Sequence, residues 1–187
     1  MRSKDFDKQG RIKEAMIRLI LRDGIDGTSM SKIAKEAGVS PATIYVYYES
    51  KEDMLSEVFR EYAGKSYDYL MNRIHPTMDA GELIEAIIKG YYYFTVEHKE
   101  IFSFVEQCSR SPVLSGGFSE KECSCGIMAL IHEYQTRGTI QPFSDLNISA
   151  VLFASVRFLA LNRKWFEKDE DVLLDELVCM LQRILLK

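Results

Sequence analysis

The sequence predicts an all-α protein of about nine helices, and three observations carry that prediction. Apolar residues recur at spacings of three and four along most of the chain, which is the pattern of one helix face. Only four prolines occur, Pro41, Pro76, Pro112 and Pro142, and three of them separate such stretches rather than interrupt them. No segment alternates apolar and polar residues convincingly enough for a half-buried strand. With 187 residues, 47% of them hydrophobic, the chain can bury a sizeable core without a disulfide framework. Its four cysteines, Cys108, Cys123, Cys125 and Cys179, are therefore expected as reduced thiols.

The first helix is expected from about Asp7 to Arg22, with Ile12, Ala15, Met16, Leu19 and Ile20 on one face and Gly24 just past its end. Thr28 or Ser29 caps a short second helix, and Ser40 followed by Pro41 starts a third. Ser50-Lys-Glu-Asp resembles a capping box and opens a fourth helix, from about residue 50 to 74, which Pro76 stops. Asp79 caps a fifth through Leu83, Ile84, Ile87, Ile88, Tyr91 and Phe94, and a sixth spans about Lys99 to Cys108. After a loop at 109–117, a seventh runs through Ile127, Leu130, Ile131 and Tyr134 to Gly138. The last two, about Ser144 to Trp165 and Asp169 to Leu186, are apolar over more than one face. Such helices need cover on two sides, the core on one and a second subunit on the other, so a homodimer through them is expected.

Residues 29–48 hold the sharpest pattern, Ser29-Met-Ser31-Lys-Ile33-Ala34-Lys-Glu-Ala37-Gly38-Val39-Ser40-Pro41-Ala42-Thr43-Ile44-Tyr45-Val46-Tyr47-Tyr48. Ala34 suits a steep crossing of two helices, and Gly38 suits the left-handed backbone of the tight turn between them. Val39 and Ile44 would bury the turn and the inner face of the third helix, opposite Ile33 and Ala37. Its outer face would then carry Ala42, Thr43, Tyr45, Val46 and Tyr47, small or hydroxyl-bearing groups fit for base edges and phosphates in a major groove. Charge supports the same end of the chain: residues 1–48 carry nine Lys and Arg against six Asp and Glu, whereas the whole chain is at −4. Phosphate contacts are expected from Lys51, Lys32, Lys35, the N-terminal Arg2, Lys4 and Lys8, and the start of the second helix at Ser29 and Ser31.

Ile33-Ala34, Ala37-Gly38-Val39-Ser40, Ile44-Tyr45, Tyr47-Tyr48 and Ser50-Lys51-Glu52, preceded by one helix, resemble the DNA-binding domain of the TetR (tetracycline repressor) family over residues 7–60. The resemblance implies a helix-turn-helix domain at 1–48 and a ligand-binding and dimerisation domain at 49–187, connected by the helix from about 50 to 74. It also implies DNA contacts at Ser29, Ser31, Pro41, Ala42, Thr43, Tyr45, Tyr47 and Lys51. The expected function is a homodimeric repressor that a small molecule releases from a palindromic operator. An activator or ligand-independent regulator of the same fold, or a dimerisation module answering to a protein partner, is the alternative. Ala42 and Tyr48 stand where many members have Gly and Phe; an aromatic at 48 should still pack.

A ligand would be received by the aromatic-rich second part, with Tyr91, Phe94, Phe104, Gln107, His132, Phe153 and Arg157 as candidates. Arg157, set among apolar residues, either pairs with a carboxylate, reaches solvent or receives an anionic ligand. Cys123 and Cys125 project from different sides of a helix, and none of His75, His98 and His132 sits in a zinc motif, so neither a metal nor a cofactor is expected. No phosphate-cradling glycine loop, Gly-x-Ser-x-Gly or His-Glu-x-x-His occurs, so no enzyme is expected either. The polar start of the chain and the lack of about 18 consecutive apolar residues lead to the expectation of a cytoplasmic protein with no membrane partner.

Overall fold

The computed structural model describes residues 2–109, 111, 114, 120–165 and 169–187, with the side chains of 2–7 and 120–125 left aside. Pro112, Phe118, Phe166 and the side chains of Arg2, Lys4, Cys123 and Cys125 thus lie outside the described residues. Among those described, the chain forms nine helices and one isolated β-bridge. They are α1 (Arg2–Gly27), α2 (Met30–Ala37), α3 (Pro41–Tyr45), α4 (Lys51–Met71), α5 (Ala80–Glu97), α6 (Lys99–Ser109), α7 (Glu120–Thr136), α8 (Asp145–Trp165) and α9 (Glu170–Leu185).

Most of the expected boundaries follow from caps. Ser29 closes the start of α2 by accepting from Lys32 N, Ser40 that of α3 from Thr43 N, and Asp79 with Glu82 makes the reciprocal bonds of a capping box on α5. At α4, Ser50 Oγ accepts from Asp53 N at 3.0 Å, and Asp53 reaches back to Glu49 N at 3.1 Å. Two helices differ from expectation. α1 starts at Arg2, since no glycine or proline interrupts residues 2–9, and Gly24 (φ 77°) breaks it before a last short turn to Gly27. α8 contains a π-helical turn at Ala150–Ala154, a wider turn that sequence periodicity does not signal.

The chain divides into two compact units, Met1–Ala63 with Glu100–Ser119, and Gly64–Lys99 with Glu120–Lys187. The first extends past the 48/49 boundary expected from sequence because Met54, Leu55, Val58 and Phe59 of α4 are buried in it. Its core also takes Ile12, Met16 and Ile20 of α1, Ile33 of α2, Ile44 of α3 and Phe104 of α6. Tyr62 and Phe104 meet edge to face at 6.1 Å, which ties α6 to α4 inside this unit. Cys108 is fully buried there, and burial pushes its thiol up to about 12, so it stays protonated near neutrality.

The second unit is a helical layer around Leu83, Ile84, Ile87 and Ile88 of α5, Ile127 and Ile131 of α7, Leu152 and Val156 of α8, and Leu174, Val178 and Leu181 of α9. The chain end is tied in by Gln141 N donating to Leu185 O at 2.7 Å and Lys187 N to Thr139 O at 3.2 Å. Along α8 the buried face is Ile148, Leu152, Val156 and Ala160, while Leu146, Phe158, Leu161 and Trp165 are exposed. α9 repeats the arrangement, with Val172, Met180 and Ile184 exposed. By adding a residue to one turn, the π segment offsets the drift of an i, i+4 row and keeps Leu146, Ala150, Ala154 and Phe158 close to one line.

Candidate nucleic-acid interface

The expected DNA-facing residues come together on the first unit. α2 ends in a left-handed Gly38 (φ 67°), with Val39 N donating to Ala34 O at 3.0 Å and Gly38 N to Lys35 O at 3.3 Å. That pair of bonds closes the helix and turns the chain directly into Ser40 and α3. A Cβ at position 38 would meet nothing within 4 Å, so the demand on this residue is conformational alone. Gly38→Ala is expected to cost about 1–2 kcal/mol, the strain of an L-residue in the left-handed region, read as a lowered midpoint of thermal unfolding.

α3 holds only five residues, too few to persist without packing. Ile44 supplies that packing, fully buried, and Tyr48 just beyond is buried as well, its hydroxyl accepting from Gln9 Nε2 at 3.5 Å. The aromatic at 48 thus packs as expected. The inward pull of Ile44 and Tyr48 leaves Ala42, Tyr45 and Val46 facing outward, Tyr45 at 57% and Val46 at 78% exposure. Thr43 and Tyr47 are half-buried, and Pro41 is exposed at the first helical position. An open depression beside α3 is lined by Lys8, Ser40, Ala42, Thr43, Val46 and Tyr47, which places Lys8 of α1 on the rim of the same face.

Positive charge is assembled where α1 ends. After the break at Gly24, Lys51 Nζ donates to Ile25 O at 3.2 Å and Lys32 Nζ to Gly27 O at 2.6 Å. Each ammonium so held neutralises the carbonyl end of α1. Both are thereby fixed near the start of α2, where Ser29 and Ser31 are exposed and the first-turn N–H groups have no acceptor inside the helix. Sequence reading gave Lys51 a phosphate role but could not foresee this anchoring, which depends on the fold bringing residues 25 and 51 together. Lys13 stiffens the support behind them: burial pulls its pKa down, but Glu61 at 2.6 Å and Glu57 at 3.2 Å raise it beyond the ordinary value.

The candidate ligand residues are more scattered. Phe104 and Gln107 lie on α6 in the first unit, whereas Tyr91, Phe94, His132, Phe153 and Arg157 lie in the second. Within the second unit Tyr91 and Phe153 meet edge to face at 5.1 Å. Phe94 instead packs with Tyr69 at 5.3 Å and His98 at 5.1 Å. His132 is exposed and pairs with Asp145 at 2.7 Å, and Arg157 is half-buried and engaged within the chain. No group of three or more potential metal ligands occurs among the described residues.

Residues 12–58 match the family model described as "Bacterial regulatory proteins, tetR family". The chain is similar to the "Fatty acid metabolism regulator protein" of Bacillus subtilis, 33% identical over 85 residues, which are 46% of this chain and 44% of that one. It thus spans less than half the length of that curated relative. In fold it is similar to a TetR family transcription regulator of Marinobacter aquaeolei, with a TM-score of 0.84 at 23% identity over 100% of both chains. It is also similar to the transcriptional regulator FadR of Bacillus subtilis, solved in complex with stearoyl-CoA, with a TM-score of 0.67 at 20% identity over 92% of this chain and 97% of that one.

Proposed function

We propose that the chain, whose residues 12–58 match the tetR family model, is a homodimeric transcriptional repressor of that family, released from a palindromic DNA operator by a small molecule. The observation that carries the reading is the face of α3: Ile44 is fully buried beneath it and Ala42, Tyr45 and Val46 point outward, while Lys32 and Lys51 are held at the end of α1, near the start of α2. Ser29, Ser31, Thr43 and Tyr47 complete the proposed DNA surface with hydroxyls and N–H groups for phosphate oxygens, and Pro41 adds an apolar contact. The protein acts as a cytoplasmic regulator and not as an enzyme.

Dimerisation is assigned to the exposed apolar rows of α8 and α9. α8 is long and apolar enough to cross a membrane by length and composition. Its apolar residues nevertheless divide between a buried face and an exposed one, and Arg157 interrupts it, which favours a subunit interface over a lipid-facing span. Two copies would set their α3 helices in successive major grooves about 34–36 Å apart. A small molecule then acts by preferring a state with a different spacing, and α4, which contributes to both units, is one of the covalent routes. The ligand site is proposed in the second unit around Tyr91 and Phe153, with Phe94 and Arg157 as further members; the ligand-bound FadR supports a small-molecule site in this fold.

The test is selection of DNA from a random duplex pool by the purified full-length protein with no partner present. Enrichment of a palindrome supports the reading, and enrichment of nothing above bulk DNA rejects it. On the selected site, Lys51→Ala is expected to weaken binding across all sequences and to reduce the slope of log affinity against log salt by about 1, as one phosphate contact does. Fluorescence anisotropy at several salt concentrations measures both.

A further inference from the structure

We infer that the bases this protein reads are thymines, recognised through their C5-methyl groups by Ala42 and Val46; the inference rests on the DNA-binding reading above. In the major groove guanine is taken by Arg or Lys, adenine by Asn or Gln, and cytosine by Asp or Glu. From Ser40 to Tyr48 the chain contains none of these six residue types. The short hydroxyls of this segment, Ser40 and Thr43, are engaged with each other, Ser40 Oγ and Thr43 Oγ1 lying 2.9 Å apart while Ser40 Oγ also accepts from Thr43 N at 3.2 Å, which leaves one O–H of the pair for a phosphate oxygen.

Beside the hydroxyls of Thr43 and Tyr45, what this face offers is apolar. Among the described residues of the first unit, the exposed large hydrophobic side chains are Tyr45 and Val46. Val46 keeps helical backbone angles (φ −71°, ψ −29°), so Ala42 and Val46, four residues apart, lie one above the other on the same face. Both line the depression whose rim includes Lys8, so a methyl-accepting surface stands beside a cation suited to the adjacent phosphate. Of the four bases, thymine alone presents a methyl group there.

Deoxyuridine pairs as thymidine does and lacks only that methyl. Full-length protein is therefore used to select from two random duplex pools, one containing thymidine and one with deoxyuridine throughout, and the selected site is then remade with single T→U replacements. Replacing the contacted thymine in both half-sites is expected to weaken binding about 15-fold, roughly fourfold per methyl, equivalent to ~0.8 kcal/mol each. Val46→Ser, which removes both γ-methyls at an exposed position and should leave the thermal melt unchanged, and Ala42→Gly should each lower the T/U ratio. Equal binding of the T and U forms of a selected site overturns the inference and leaves the DNA-binding reading standing. Enrichment from neither pool overturns that reading itself. Undiminished T/U discrimination by both variants overturns the assignment to Ala42 and Val46.

Discussion

Phe158→Glu combined with Ile184→Glu is expected to yield a folded monomer whose operator affinity is lower by on the order of 100- to 10,000-fold. Both side chains are exposed in the single chain, at 62% and 48%, so neither substitution removes a contact from the core of the second unit. Each places a carboxylate on one of the two apolar rows, and at a two-fold interface each is met by a copy of itself or of its neighbour. Desolvating such charges without partners outweighs what the surrounding apolar contacts contribute. The loss on DNA is large because the second half-site is otherwise bound at an effective concentration set by the dimer. Sedimentation velocity reads the monomer and anisotropy reads the affinity. A variant that remains dimeric would place the interface elsewhere.

Ile44→Ala is expected to destabilise the first unit by about 2–5 kcal/mol, the range for emptying a fully buried aliphatic site. The consequence for binding exceeds that for stability. α3 has five residues, and Ile44 is its buried member, so the helix loses the contact that sets its orientation. Specific binding should fall more steeply than binding to bulk DNA, since the phosphate contacts proposed for Lys32, Lys51 and the start of α2 do not depend on α3. Urea titration gives the stability change and competition anisotropy gives the ratio of the two affinities. Retention of full specificity would show that α3 is not the reading element.

What was legible in the sequence is what local chemistry decides. Gly24, Gly38 and Gly138 all adopt positive φ, and Ser29, Ser40 and Asp79 all cap the helices that follow them. Spacing alone also placed Ile33, Ala34, Ala37 and Ile44 inward. The ligand candidates fared differently because they depend on contacts between distant segments. His132, a ligand candidate from sequence, adjoins the buried Ile131 and so sits about 100° round the helix, on the outer side. Helical phase could have shown this. The assignment of α6 to the first unit, which puts Phe104 and Gln107 in a different unit from Tyr91 and Phe153, had no local signal.

That assignment also bears on how such a protein can be taken apart. The first unit is discontinuous in sequence, with α6 returning to it after the chain has built α5. A fragment cut after Ala63 would leave Tyr62 without its edge-to-face partner Phe104 and would lack the buried Cys108. Hybrid regulators made by grafting this reader onto another sensor therefore cannot be spliced at one junction. The transplanted portion must include α6 or a helix that substitutes for it, so this unit is encoded by two separated stretches of the gene.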